Sequence, residues 1–259
     1  MGAAIAQTDI ALDPEFGARV SVGMDWKIVR GLHLTLSEQV RFDNNFSDFD
    51  RLQTQLGLSY KVNPYFKFGA GYMLNVPFSS GSGAFKSPRH RLYADVKGTA
   101  RAGKWAFSLK ERFQWTYRQG DMNEYQYPRN ALTLKSRLMV KYNGRKAAPY
   151  AYFELRNFLN APVIYANFDG TNYVNDDGSA TDVAGWFLHS FKGGYVNRYR
   201  GCVGVDLKFN KHNALDVYFL ADGVNDKVVD ANSSGTKLKS YTREHGFVGG
   251  LGVEYTFSF

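Results

Sequence analysis

Arg89, Arg91, Asp95, Lys97 and Arg101 fall on alternate positions of one short segment, with Leu92, Ala94 and Val96 between them. The rhythm recurs in Lys110, Arg112 and Arg118, in Lys135, Arg137 and Lys141, and in Arg198, Arg200, Asp206 and Lys208. A spacing of two gathers side chains on one face of a strand. Charge at that density offers two kinds of chemistry. Guanidinium and carboxylate groups can brace neighbouring strands through paired hydrogen bonds. Alternatively, a surplus of cations can draw anions into the enclosed space through their summed field. Acids on the same faces are fewer, namely Asp25, Asp95, Glu154, Asp206, Asp216 and Glu254. A narrow interior cannot hold so many like charges dry, so water or counter-anions must accompany them.

Catalytic chemistry has a weaker claim. The five histidines, His33, His90, His189, His212 and His245, are scattered along the chain. His189-Ser190 is the one suggestive pair for a lipid hydrolase. Adjacent strand residues point to opposite faces, however, and the polar-glycine context of barrel lipases does not follow it. Phosphate-cradling loops, zinc motifs and nucleophile elbows are missing, so neither an enzyme nor a cofactor is expected. Asp176-Asp177-Gly178 could offer oxygens to a divalent cation, but the spacing fits no calcium loop. The lone Cys202 excludes an internal disulfide and reads as a small filler on the polar face.

The elements that position these residues are strands. From Phe16 to Ile28 the even positions are apolar, while Arg19, Ser21, Asp25 and Lys27 take the odd ones. Comparable alternation runs through 32–42, 52–62, 66–74, 89–100, 105–118, 131–142, 149–158, 195–209, 213–222 and 244–259. These segments are about ten residues or longer, the length that crosses a bilayer at a barrel's tilt. Short connections (Arg30-Gly31, Asn63-Pro64, Arg101–Lys104, Asn143–Ala148, Asn210–His212) alternate with long ones at 43–50, 77–88, 119–130, 159–194 and 223–243. That asymmetry matches outer-membrane barrels, whose short turns face the periplasm. The fold expected is an all-β, transmembrane, antiparallel up-and-down barrel over residues 13–259. Residues 1–12 form an N-terminal segment in which Ala4-Ile5-Ala6 resembles the tail of a secretory signal. The segment offers at most one short strand.

Eleven strands are legible, yet bacterial single-chain barrels have even counts. Twelve is expected, from residues before Asp13 or from a crossing hidden between Val163 and Phe191; ten is the alternative. Composition agrees with a barrel: 44% of residues are hydrophobic, with 20 Phe and 17 Tyr. Mean hydropathy is nonetheless −0.37, and no apolar run approaches the roughly 18–20 residues of a spanning helix. The net charge of +8 is distributed along strands rather than over one external patch, so nucleic acid is not an expected partner.

The apolar stripe is aromatic near strand ends, at Trp26, Phe42, Tyr60, Phe66, Trp105, Tyr117, Tyr142, Phe209 and Phe257. Such girdles suit the two membrane interfaces. On the inner face a polar network of Arg41, Arg89, Arg91, Asp95, Lys97, Lys110, Arg112, Arg137, Glu154, Arg198, Arg200 and Asp206 is expected, within a narrow or occluded lumen. Glu38 and Glu111 break phase and land on the apolar stripe. A bulge at each would turn it inward beside Arg41 or Arg112; the alternative is a protein partner covering the stripe there.

Several stretches also carry a family likeness: Glu15-Phe16-Gly17, Gly31-Leu32-His33-Leu34, Val40-Arg41-Phe42-Asp43-Asn44-Asn45, Arg89-His90-Arg91, Leu109 to Gln114, Ser136-Arg137-Leu138 and Tyr152-Phe153-Glu154. From Phe16 to Phe259 the chain resembles an uncharacterised, DUF2490-like family of outer-membrane β-barrels common in gut Bacteroidota. The resemblance implies the outer membrane of a Gram-negative bacterium, with lipid and lipopolysaccharide as surroundings and other outer-membrane proteins as candidate partners. It hands over no activity. It further implies that Glu38, Glu111 and Glu154, with Arg41, Arg91, Arg112 and Arg137, form one lumenal signature. The function expected is porin-like passage or binding of small anionic solutes, or an accessory role in an outer-membrane complex. A lipid-modifying barrel enzyme and a soluble β-carrier are the alternatives.

Overall fold

The computed structural model describes residues 8–120, 122–123, 126–161, 173–174, 180–181, 193–231, 233 and 238–259. The Ala4-Ile5-Ala6 pattern, His189-Ser190, the Asp176-Asp177-Gly178 triplet and most of the Val163–Phe191 segment lie outside them. Eleven long strands follow one another: β1 (Glu15–Val29), β2 (Leu32–Asp43), β3 (Asp48–Lys61), β4 (Phe66–Ser79), β5 (Arg89–Ala102), β6 (Trp105–Arg118), β7 (Asn130–Tyr142), β8 (Ala147–Ala161), β9 (Gly193–Lys208), β10 (Asn213–Ala231) and β11 (Leu238–Ser258). Each pairs with its sequence neighbours in antiparallel register, and β11 returns to β1, closing an all-β barrel.

Among the described residues the wall has eleven long strands rather than the even twelve or ten. With an odd number of up-and-down strands the first and last must run the same way. The seam is indeed parallel, from Val248 opposite Glu15 to Ser258 opposite Asp25. The segment ahead of Asp13-Pro14 does form a strand, Thr8–Ala11, but it is no twelfth crossing. It continues the line of β1 and pairs parallel with Thr242–His245 of β11. Pro14, which has no N–H to give a ladder, marks the break between the two pieces. β8 pairs directly with β9, so no further wall strand stands between them.

Chain reversals at one rim are short and chemically explicit. Arg30-Gly31 joins β1 to β2 with Gly31 at φ 85°, a conformation glycine adopts freely. Asn63 and Asn210 each accept two backbone N–H bonds through their side-chain oxygens, at 2.8–2.9 Å, fixing the β3–β4 and β9–β10 turns. At the other rim two of the expected long loops are shorter. Between β2 and β3 only Asn44–Ser47 turn, with Asn44, Asn45 and Phe46 all at positive φ. β10 and β11 extend as a paired ribbon to Ala231 and Leu238, taking up most of the expected 223–243 loop. Between β4 and β5, Ala84–Phe85 folds back onto Phe78–Ser79.

The polarity of the molecule is inverted. Val20, Val22, Leu56, Leu58, Phe68, Leu109, Leu138, Phe153, Val203 and Leu251 stand exposed on the outside. Buried inside are Gln114 and Asp222 (1% exposed each), Asn75 and Glu154. The girdle aromatics expected on the strands are outward as well. Trp26 stacks on Phe259 at 5.3 Å, and Trp105 meets Tyr142 edge-on at 5.2 Å.

Candidate functional site: a cationic cavity inside the barrel

All twelve residues of the expected polar network sit on the inner face, but they do not form one network. From mid-height to the short turns, most inward acids meet a base or a tyrosine hydroxyl. Arg112 donates from Nε and Nη2 to Asp95 at 3.0 and 2.7 Å, and Lys110 reaches the same carboxylate at 3.2 Å. Arg137 grips Glu154 from Nε at 2.8 Å and Nη2 at 2.6 Å. Lys141 pairs with Asp206, Tyr150 donates to Asp216 at 2.9 Å, and His33 Nδ1 lies 3.0 Å from Asp25. Lys97 shares this region, opposite Lys110.

Tyrosine rings fill the space between these pairs. Arg112 lies 4.1 Å from the Tyr93 ring centre and Arg137 4.0 Å from that of Tyr152. Three rings lean over glycines of nearby strands: Tyr93 over Gly71 on the adjacent strand and Gly57 one strand further, Tyr150 over Gly204, and Tyr218 over Gly252. A β-carbon at Gly71 or Gly252 would overlap the ring, so these glycines are the slots that let the tyrosines lie across the lumen. Ordered cation–ring stacking of this kind rigidifies a wall as well as filling it.

Toward the opposite rim the balance changes. A cavity of about 380 Å³ opens there, lined by the basic residues Arg51, Arg89, Arg91, Arg118, Lys135, Arg156, Arg198 and Lys227, with Asp226 and Glu244 as its acids. Arg51 is tied to Asp50 at 2.6 Å. Arg156 and Arg198 share Asp226 at a loose 4.0 Å, and Arg198 is 3.6 Å from Asp222. Asp222 is already held by both nitrogens of the Arg200 fork, at 2.6 and 2.7 Å. Among the described residues, Arg89, Arg91, Arg118 and Lys135 have no carboxylate within 4.0 Å. Arg91 settles for Thr116 Oγ1 at 3.0 Å and Met73 Sδ at 3.6 Å, while Arg118 stacks over Tyr127 at 5.1 Å. Arg41, nearby on β2, is bonded among the described residues to the amides of Gln39 and Gln53, at 2.6 and 2.9 Å. Gln114 Nε2, Arg118 Nε and Arg198 Nε, all in the cavity wall, are buried donors with no acceptor among the described residues.

Glu38 and Glu111 correct the sequence reading. No bulge turns either inward: Val22–Glu38–Thr54 and Val96–Glu111–Ser136 are unbroken rows of cross-strand partners. Period two then keeps both acids outside. Each instead accepts a hydroxyl hydrogen bond from the next strand, from Thr54 at 2.7 Å and from Ser136 at 2.6 Å. Of the implied family signature, Glu154 and the four arginines are lumenal and these two acids are not.

The sequence reading missed Arg156 and Asp222, and it assigned Asp226 to a loop. It ended that strand at residue 222, whereas β10 continues, and the alternation Asp216, Tyr218, Leu220, Asp222, Val224, Asp226 was the available signal. It also missed the Asp25–His33 pair, which faces Ser59 on β3; no hydrogen bond joins His33 to Ser59. No group of three His, Cys, Asp or Glu is placed to hold a metal among the described residues. Among proteins of known families, residues 17–173 match a family described as a protein of unknown function, DUF2490. No curated protein matches the chain.

Proposed function

The chain belongs to the DUF2490 family, and from the inverted polarity of its barrel we propose that it is an outer-membrane protein of a Gram-negative bacterium that admits small anionic solutes to its lumen. The carrying observation is the cavity toward the long-loop rim, with eight basic residues against two acids. Exposed aliphatic and aromatic side chains occur on strands all around the outside, and large apolar patches are rare on water-soluble monomers. Lipid is the natural cover for it, with aromatic rings at the strand ends lying at the interfaces.

Inside, the clustered cations raise the local concentration of anions and oppose cations. The tyrosines and paired charges lower down narrow the path, so the barrel holds anions or passes them slowly rather than acting as a wide pore. The reading is of a binding or transport barrel and not of an enzyme. In planar bilayers the full chain is expected to give small currents with anions carrying more charge than cations. Cation-preferring currents, or a bilayer as silent as one without protein, would overturn it.

A second reading, an accessory subunit of a larger outer-membrane assembly, draws on Glu38 and Glu111. Carboxylates at mid-strand on a lipid-covered face carry a cost, which contact with a neighbouring protein would relieve.

A further inference from the structure

The cavity near the long-loop rim is built for more than a diffuse preference for negative charge. Among the described residues its buried atoms without a partner, Gln114 Nε2, Arg118 Nε and Arg198 Nε, are all N–H donors. A buried donor without an acceptor is costly and rare in native proteins. Three in one wall mark a place where acceptors arrive from outside. The donors fall in two groups, Gln114 and Arg118 on β6 and Arg198 on β9. All three nonetheless line the same cavity. Arg91 and Arg89 stand beside the first group, and Arg156 beside the second, with Lys135 between.

We propose that this cavity is a binding site for a small organic polyanion carrying phosphate or sulfate ester groups. Its oxyanions would take the N–H donors of Gln114, Arg118 and Arg198. Guanidinium forks match tetrahedral oxyanions in pairs of hydrogen bonds, and the lysine adds a point charge between them. The Tyr127 and Phe158 rings in the same lining give the carbon skeleton a flat apolar face. The volume of about 380 Å³ lies within the range of small-ligand pockets. Because the strands wall the cavity off on its outer side, the ligand enters from the aqueous long-loop side and not from lipid.

The inference rests on the anion-admitting reading and is tested separately from it. Detergent-solubilised full chain is titrated by calorimetry with pyrophosphate, with glucose 6-phosphate and with glucose. Saturable binding of the two phosphates, without binding of glucose, is expected. Arg91→Gln and Arg118→Gln should each weaken pyrophosphate by about tenfold or more, and Arg101→Gln, near the short turns, should leave it unchanged. Folding of each variant is checked by its heat-dependent migration in gels. Equal affinity in folded Arg118→Gln and wild type, or loss in Arg101→Gln alone, would overturn the site. Absence of pyrophosphate binding in a chain whose currents are anion-preferring would also overturn it, and would leave the broader reading standing.

Discussion

From mid-height to the short turns, Asp95, Glu154 and Asp206 each meet a base. Toward the long loops, Arg89, Arg91 and Arg118 face a cavity with no carboxylate in reach among the described residues. The two halves use the same residue types on the same strands. Arg91 and Asp95 are two inward positions apart on β5; Arg112 and Arg118 are three apart on β6. What differs is the acid on the neighbouring strand. Where a carboxylate stands across the register, an arginine braces the wall and its charge is spent locally. Where none does, its charge remains available to whatever enters. Composition alone would have treated these arginines as equivalent.

The largest expected effect comes from unpairing the braced half. Glu154→Ala strips Arg137 of its acceptor and leaves a guanidinium uncompensated inside the wall. Unfolding in urea, followed from reconstituted vesicles, is expected to show a loss of about 3–5 kcal/mol; an unchanged midpoint would mean that the ion pairs there are not structural. A smaller loss should follow from closing one of the tyrosine slots. Gly252→Val forces the Tyr218 ring aside, and the same assay should register about 1–3 kcal/mol. If the ring swings freely, the cost vanishes and the lower lumen is less filled than described above. Least of all should change on Arg118→Gln, within about 0.5 kcal/mol, because no acid is orphaned by the substitution. A loss as large as that of Glu154→Ala would erase the distinction between the halves.

Much of this was legible beforehand. The strands and their two faces follow from period two, which shows plainly when one face is charged and the other aromatic. The seam was not legible, because alternation within a strand says nothing about the direction in which the first strand meets the last. Counting eleven strands was correct; preferring twelve came from importing a rule about even numbers. The bulges assigned to Glu38 and Glu111 failed for a different reason. A charged residue on an apolar stripe can be accommodated by moving the backbone or by finding a hydroxyl next door, and only the register reveals that Thr54 and Ser136 are the neighbours. The split of the lumen was invisible for a related cause: pairing is a property of adjacent strands, and the partner of a given arginine sits many residues away in sequence.

The parallel seam has a consequence for the order of assembly. Hairpins between sequence neighbours can knit ten of the eleven strand junctions as the chain emerges, but Glu15–Asp25 must wait for Val248–Ser258, more than two hundred residues later. Contacts that distant form late because the intervening chain must first be gathered in. Until then the sheet is an unrolled ribbon with two raw margins, each able to zip onto another copy. The stacking of Trp26 on Phe259 at the bottom of that seam acts as the clasp, favouring self-closure over chain-to-chain adhesion.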